Sequence, residues 1–115
     1  MRRKWINLLS WIRCSCGGRL VSSVVNFGQS LPQKALAASY RHSENCDLFV
    51  VVGSSLVVTP AADMPEVAVN SGARLVIINQ GETPLDRIAH LRFWERIGEV
   101  LPETVIRLKE LIKAP

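Results

Sequence analysis

The apolar positions of the chain form strand-like runs that are separated by segments of helical spacing. Residues 47–53, DLFVVVG, are a continuous β-branched run, which is typical of a strand buried on both faces of a parallel sheet. Residues 74–79, RLVIIN, predict a second strand of this kind, and residues 91–94, LRFW, predict a short third one. The pattern therefore predicts an α/β fold with parallel strands.

Helices are predicted before, between and after these strands. Pro32 suits the first turn of a helix over residues 33–45, and Asp63 is a candidate N-cap for a helix that ends at Gly72. A terminal helix is marked by apolar residues at helical spacing: Leu101, Val105, Leu108 and Ile112. Strand, helix, strand, helix and strand make up half of a Rossmann-like, doubly wound parallel sheet.

A further short strand is predicted at residues 24–27, VVNF, directly before Gly28. The glycine lets the chain turn back and leaves its backbone open to a neighbour. An exposed strand edge is either a liability for solubility or a place where an extended peptide can add as a strand. The strand pattern alone does not decide between these two interpretations.

Composition indicates one small globular domain. The chain has 115 residues, of which 48% are hydrophobic and 21% are charged. Its net charge of +4 comes partly from the amino terminus, and the other basic residues are interleaved with acidic ones, so no nucleic-acid-binding stripe is expected.

Residues 1–13, MRRKWINLLSWIR, form an atypical basic and apolar segment in which apolar residues share one helical face: Trp5, Leu8, Leu9 and Ile12. Polar interruptions and the lack of a small-residue cleavage site argue against a signal peptide. A surface-lying membrane helix and a helix that caps the domain both remain open. Because no other long apolar run follows, we expect no membrane span, a cytoplasmic location and reduced cysteines.

Cys14 and Cys16 lie in the sequence CSCGG, a pair of thiols on a turn loosened by glycine. Such a pair is half of the four-ligand set that a structural zinc ion needs, and from the residues alone a zinc half-site and two free thiols are equally plausible. Cys46, directly before a strand, is expected to be a small buried residue, and His42 is expected on an exposed helical face.

The residues that follow the buried strands are the candidate binding residues, because ligands of doubly wound folds lie at the carboxyl ends of the strands. Gly53 permits close backbone approach, and Ser54 and Ser55 add hydroxyls for a ribose or phosphate. Asn79 follows the next strand with an amide that can both donate and accept. Taken singly, each of these residues is also common in ordinary turns.

In their order, five segments resemble the carboxyl-terminal half of the sirtuins, the NAD-dependent protein lysine deacylases. These segments are CSCGG, VVNFGQSLP, DLFVVVGSSLVVTPAADMPEVA, RLVIINQGETPLD and GEVLP. The resemblance runs from about Cys14 to about Leu111, nearly the whole chain. It implies an α/β fold that is the carboxyl-terminal half of a Rossmann-like parallel sheet, with a remnant of the small zinc module in residues 14–23 and the partial NAD-binding fold in residues 24–115.

The resemblance also implies roles for individual residues. Gly53, Ser54 and Ser55 match the element that contacts NAD, and Asn79 matches the asparagine on the adenosine ribose. Ile97 stands where the family usually has a small residue near the adenine, so it is expected to crowd the base. Two groups complete the implied site: the peptide-binding residues Val25, Phe27 and Gly28, and the zinc ligands Cys14 and Cys16, in which Cys-x-Cys replaces the commoner Cys-x-x-Cys.

Two functions from different classes follow from the resemblance. The glycine-rich pyrophosphate loop and the catalytic histidine of the family are not expected in this sequence, and neither His42 nor His90 lies in the family's catalytic context. The first interpretation is a partial deacylase, either a truncated gene product or one part of a split enzyme, that is inactive as an isolated chain and acts on an acyl-lysine peptide only when the amino-terminal half is present. The alternative is a non-catalytic NAD- or peptide-binding module, which could also self-associate.

Overall fold

The computed structural model describes residues 13–113. The helix predicted from Trp5, Leu8, Leu9 and Ile12 lies outside the described residues. The chain divides into two compact units, Met1–Leu31 and Pro32–Pro115. Residues 24–31 therefore group with the Cys14 turn, whereas the sequence assigns residues 24–115 to the nucleotide-binding fold.

The second unit contains a three-stranded, fully parallel sheet. Its strands are β1 (Leu48–Val52), β2 (Arg74–Ile78) and β3 (Leu91–Phe93), in the spatial order β1-β2-β3. Val52 pairs with Ile78, which in turn pairs with Phe93, so the three strands end together. The predicted parallel α/β architecture is confirmed, and the carboxyl ends of all three strands form one edge, which we call the carboxyl edge.

Within residues 13–113, α1 (Gln33–Glu44) precedes β1, α2 (Met64–Asn70) connects β1 to β2, and α3 (Ile97–Lys113) follows β3, while a 3₁₀ turn, Asp86–Ile88, lies between β2 and β3. Pro32, predicted in the first turn of α1, lies one residue earlier, at its N-cap position, and Pro65 lies in the first turn of α2. Asp63, however, forms no side-chain capping bond. Its φ of −79° and ψ of −23° are already helical because a 3₁₀ turn, Ala61–Asp63, runs directly into α2. Among residues 13–113, no helix is long and apolar enough to cross a membrane.

The core of the second unit lies on one face of the sheet. It consists of Val51, Leu56, Leu75 and Ile77, onto which partly buried residues pack: Phe49, Ala62, Val69, Leu85 and Ala89. Leu75 and Ile77 are fully buried in the central strand. This cluster therefore provides much of the hydrophobic stabilisation of the unit, and Ile78, 3% exposed, is buried on the other face of the central strand.

Burial of β1 on both faces, which its β-branched run predicts, is wrong for this chain. Leu48, Val50 and Val52 are 55%, 43% and 39% exposed, whereas Val51 between them is buried. The cluster that packs on β1 lies on the face that carries Phe49 and Val51, whereas over Leu48 and Val50 residues of α1 only line an open surface cavity. Strand β1 thus combines a composition suited to full burial with one uncovered face.

The first unit contains turns but no strand at residues 24–27. Arg13 and Arg19 form an isolated antiparallel bridge, and Phe27 and Gly28 lie in a turn in which the Gln29 N–H donates to the Asn26 carbonyl at 3.1 Å. The predicted strand is therefore wrong for the chain by itself. A strand needs a partner ladder, and the described part of this unit offers none to these residues.

Candidate functional site

The backbone brings Gly53 and Asn79 together at the carboxyl edge. The Gly53 N–H donates to the Ile78 carbonyl at 2.9 Å, and the Asn79 N–H donates to the Phe93 carbonyl at 3.0 Å. Both bonds continue the strand ladders by one residue beyond the last paired position. Two residues that the sequence predicts as a nucleotide site therefore lie on neighbouring strand ends.

Ile97 lies against Gly53. Gly53 has a φ of +63°, in the left-handed region, and a Cβ built on it would lie 2.8 Å from the Ile97 Cδ1. Glycine is thus required here for two reasons, backbone conformation and space. Ile97 is the first residue of α3 and is 38% exposed, so its side chain lines the open side of the carboxyl edge.

The two serines after Gly53 have different surroundings. The half-buried Ser54 accepts the Leu56 N–H on its hydroxyl oxygen at 3.3 Å, whereas Ser55 is exposed. Leu56 has a φ of +54°, a conformation uncommon for leucine, and its side chain is buried in the core. The buried Leu56 side chain thereby attaches the loop of residues 53–56 to the core. Of the two serines, Ser55 is the one whose side chain is accessible from solvent.

The nitrogen of the Asn79 side-chain amide is hydrogen-bonded, whereas no donor among residues 13–113 bonds to its oxygen. Its Nδ2 donates to the Gly81 carbonyl at 2.9 Å. Because a carbonyl oxygen can only accept, the nitrogen must face Gly81, which fixes the assignment of the two amide atoms. The half-buried Asn79 therefore keeps its Oδ1 as an acceptor for an incoming hydroxyl.

Arg92, on β3, is a residue at the edge that the sequence interpretation missed. Its Nη1 donates to the Asn79 carbonyl and its Nη2 to the Gly81 carbonyl, each at 2.6 Å. Its Nε donates to Asp86 Oδ1 at 2.8 Å, and its guanidinium lies 3.7 Å from the centroid of the Trp94 ring. With only 11% of its side chain exposed, Arg92 holds the backbone of residues 79–81, which we call the 79–81 loop.

Asp86 holds Arg92 and also closes its own turn. It accepts the Thr83 N–H at 2.9 Å and the Thr83 hydroxyl at 2.6 Å. Desolvation raises the pKa of Asp86, but the bonds from Thr83 and the charge of Arg92 outweigh it and hold the pKa below the usual carboxyl value. The signal that could have revealed this cluster is the Thr-x-x-Asp spacing, which resembles a capping box.

The two histidines of the sequence lie away from the carboxyl edge. His42 is exposed on α1, as predicted. His90 Nδ1 accepts the Leu75 N–H at 3.0 Å, near the amino end of the sheet. Leu75 precedes Asn79 by four residues, about 13 Å along a strand. Neither imidazole is therefore placed to act as a base on a ligand at Asn79.

In the first unit, Cys14 and Cys16 lie on an exposed turn. The Cys14 N–H donates to the Gly18 carbonyl at 3.0 Å and the Gly17 N–H to the Cys14 carbonyl at 2.8 Å. Hydrogen bonds from the Cys16 backbone and side chain, and from Ser15, lower the pKa of the Cys14 thiol. Within residues 13–113, no three or more metal-ligating side chains cluster. Two thiols are half of the four ligands that a tetrahedral zinc ion takes, and a zinc site at this turn stays a prediction.

The predicted peptide-binding residues also lie in the first unit. Phe27 is 92% exposed and Val25 is 37% exposed. Gly28 has a φ of +83° with open space around it. The stretch is thus accessible to an extended peptide. Cys46, by contrast, is half-buried in the second unit rather than fully buried, and its thiol donates to the Ser43 carbonyl at 3.3 Å.

Comparison with known proteins identifies the family. The model of the Sir2 family matches residues 5–60. The NAD-dependent protein deacetylase of Halalkalibacterium halodurans is 50% identical over 92 residues, which cover 79% of this chain and 39% of the relative. The NAD-dependent protein deacylase 2 of Archaeoglobus fulgidus is 44% identical over 101 residues, 86% of this chain and 40% of the relative.

Solved structures agree with the sequence matches. A structure of Sir2 bound to acetylated peptide matches with a TM-score of 0.75 at 39% identity, over 85% of this chain and 42% of that one. A complex of Sir2, p53 peptide and NAD+ matches with a TM-score of 0.69 at 41% identity, over 82% of this chain and 41% of that one. The chain belongs to the Sir2 family, the sirtuins. It spans about 40% of the length of the curated relatives it matches.

These matches confirm the resemblance stated from the sequence and the Rossmann-like α/β fold. The roles of individual residues at the carboxyl edge, at the cysteine turn and in residues 25–28 stay predictions.

Proposed function

We propose that the chain provides the adenosine side of the NAD site of a protein lysine deacylase. One observation carries the proposal: Gly53 and Asn79 lie side by side at the carboxyl edge, and Asn79 keeps its Oδ1 free to accept a hydroxyl. That is the arrangement a nucleotide needs at the strand ends of a doubly wound sheet. The NAD dependence of the relatives supports it.

Each residue of the edge has a definite task in this proposal. Asn79 Oδ1 accepts a ribose hydroxyl, and Gly53, which has no side chain, lets the nucleotide approach the backbone. The exposed hydroxyl of Ser55 adds a donor. Ile97, against Gly53, narrows the space for the base. Bound NAD would supply the ribose that takes up the acyl group with release of nicotinamide.

The acyl-lysine substrate is assigned to the first unit. We propose that Val25, Phe27 and Gly28 line the place where an acyl-lysine peptide adds as an extended strand. Supporting this, residues 24–27 have strand-forming composition but no partner strand among residues 13–31, the described part of their own unit. A peptide that pairs with them would complete the ladder that the sequence predicts. Solved relatives with bound acetylated peptide are consistent with this class of ligand.

A second candidate function is a non-catalytic module that binds NAD or a peptide and acts by association. The positions of the two histidines favour it for the chain taken alone, because His42 is exposed on α1 and His90 is bound to Leu75 near the amino end of the sheet. The uncovered face of β1 also gives it a surface for a complementary sirtuin portion or a second copy. Turnover measurements with and without such a portion separate the two functions.

The NAD site is tested by binding to the whole chain, with Asn79→Ala compared with Asn70→Ala. Asn70 is exposed at the end of α2 and is not part of the edge. Loss of a hydrogen bond to a ligand hydroxyl is expected to weaken NAD binding by about tenfold, and Asn70→Ala is expected to leave it unchanged. Isothermal titration calorimetry measures both. Equal NAD affinities of the two variants would contradict the proposed site.

We further propose that residues 14–23 are the remnant of a zinc module and that Cys14 and Cys16 bind zinc only when another chain completes the site. Two thiolates leave two positions of tetrahedral zinc open. We expect zinc content near zero in the monomer and one ion per pair of chains in a dimer. Cys14→Ser should abolish dimer-bound zinc, and Cys46→Ser should not. One zinc per monomer after dialysis against a moderate chelator would contradict this proposal.

A further inference from the structure

Arg92 is fixed in a single orientation by contacts on its edges and on its face. Its three nitrogen atoms donate to backbone carbonyls and to Asp86, and the plane of the guanidinium lies on Trp94. Asp86 is in turn held by the backbone and hydroxyl of Thr83. A planar, bidentate group that is restrained in this way defines where the carbonyls it binds can lie.

One of those carbonyls is shared with Asn79. The Gly81 oxygen accepts from Arg92 Nη2 at 2.6 Å and from Asn79 Nδ2 at 2.9 Å, which uses both of its lone pairs. Arg92 also binds the carbonyl of Asn79 itself. The arginine thereby holds the backbone at both ends of the 79–81 loop, and through Gly81 it holds the side-chain amide of Asn79.

We propose that Arg92 is a positioning residue of the nucleotide site. By fixing the 79–81 loop it keeps the Asn79 amide nitrogen on Gly81 and leaves Oδ1 presented to a ligand that carries hydroxyl donors, such as a ribose. This inference rests on the proposed NAD site, which it deepens by naming the group that orients Asn79. Arg92 itself binds no ligand in this scheme, since four of its five N–H donors are bonded to the protein: one to Asp86 and three to the carbonyls of Asn79, Gly81 and Phe93.

Arg92→Lys is the informative substitution, because it keeps the charge but replaces the planar fork with one ammonium that cannot reach Asp86 and both carbonyls together. Arg87→Lys is the matched control, since Arg87 is an exposed arginine of the same connection. NMR relaxation of the Asn79 side-chain amide reports its order without any ligand. We expect a lower order parameter in Arg92→Lys, an unchanged one in Arg87→Lys, and NAD affinity about tenfold weaker only in the former.

A double substitution separates positioning from a general structural role. If Arg92 acts through Asn79, removing the Asn79 side chain also removes the effect of Arg92. The double variant Asn79→Ala/Arg92→Lys should then bind NAD as tightly as the single variant Asn79→Ala. Additive losses, or a lower melting temperature of Arg92→Lys with an unchanged Asn79 order parameter, would overturn the inference. Failure of the wild-type chain to bind NAD would reject the proposed function, while the order parameter would still decide the role of Arg92. If Arg92→Lys does not fold, Asp86→Asn replaces it in the same measurements.

Discussion

The purified chain is expected to release no measurable nicotinamide from NAD in the presence of an acetyl-lysine peptide. The family reaction needs a base within hydrogen-bond reach of the ribose, and general bases typically contribute a factor of about 100 to 10,000 in rate. Neither His42 nor His90 is placed at the carboxyl edge, because His42 lines a surface cavity with Leu48 at the amino end of β1 and His90 binds Leu75 near the amino end of β2. Release of nicotinamide is measured directly by chromatography.

Partial turnover should return when the amino-terminal portion of a sirtuin is supplied in trans. The added portion would bring a base and pyrophosphate contacts to the edge that this chain provides. Asn79→Ala and Ser55→Ala should abolish the recovered turnover, and Asn70→Ala should preserve it. Robust turnover by the 115-residue chain alone would show that a base has been missed. In that case His42→Ala and His90→Ala are the variants to assay next.

Gly53→Ala is expected to destabilise the fold by about 1–2 kcal/mol and to remove NAD binding. The destabilisation arises because alanine disfavours the left-handed conformation, here a φ of +63°. The binding loss arises because the new methyl group would lie 2.8 Å from the Ile97 Cδ1 unless that side chain shifts toward the space proposed for the base. Chemical denaturation measures the free energy of unfolding, and calorimetry measures the affinity for NAD.

Substitutions at two other glycines separate the effect of backbone conformation from the effect of crowding against Ile97. Gly72 has a φ of +100° but open space around it, so Gly72→Ala should be destabilising without affecting NAD binding. Gly98 lies within α3, also in open space, and Gly98→Ala should be neutral or stabilise by up to about 1 kcal/mol. Adding Ile97→Ala to Gly53→Ala should recover part of the binding. If Gly53→Ala and Gly72→Ala bind NAD equally well, crowding at Gly53 plays no part.

Parallel strands and their ends could be predicted because the information is local. Uninterrupted β-branched runs define β1 and β2, and strands in this arrangement end together. Gly53 and Asn79 are therefore predicted as binding residues from their positions after these runs, and the structure places them on neighbouring strand ends. Two predictions were wrong because they depend on other segments of the chain. Burial of β1 on both faces requires a segment that covers the face of Leu48 and Val50, and a strand at residues 24–27 requires a partner strand.

The role of Arg92 could not be predicted for a related reason. In the sequence it is one basic residue in a short strand, thirteen positions after Asn79. Only the pairing of β2 with β3 brings its guanidinium to the 79–81 loop, and only the Thr83 turn places Asp86 against it.

By itself, the sequence determined the α/β class, the order of strands and helices, and the residues that follow each strand, because periodicity and chain order are properties of neighbouring residues. The tertiary structure alone decided three further features: the contact of Ile97 with Gly53, the hold of Arg92 on Asn79, and the uncovered face of β1. Each of these depends on the distance between residues far apart along the chain. Such distances are set by strand register and packing, which a local pattern does not contain.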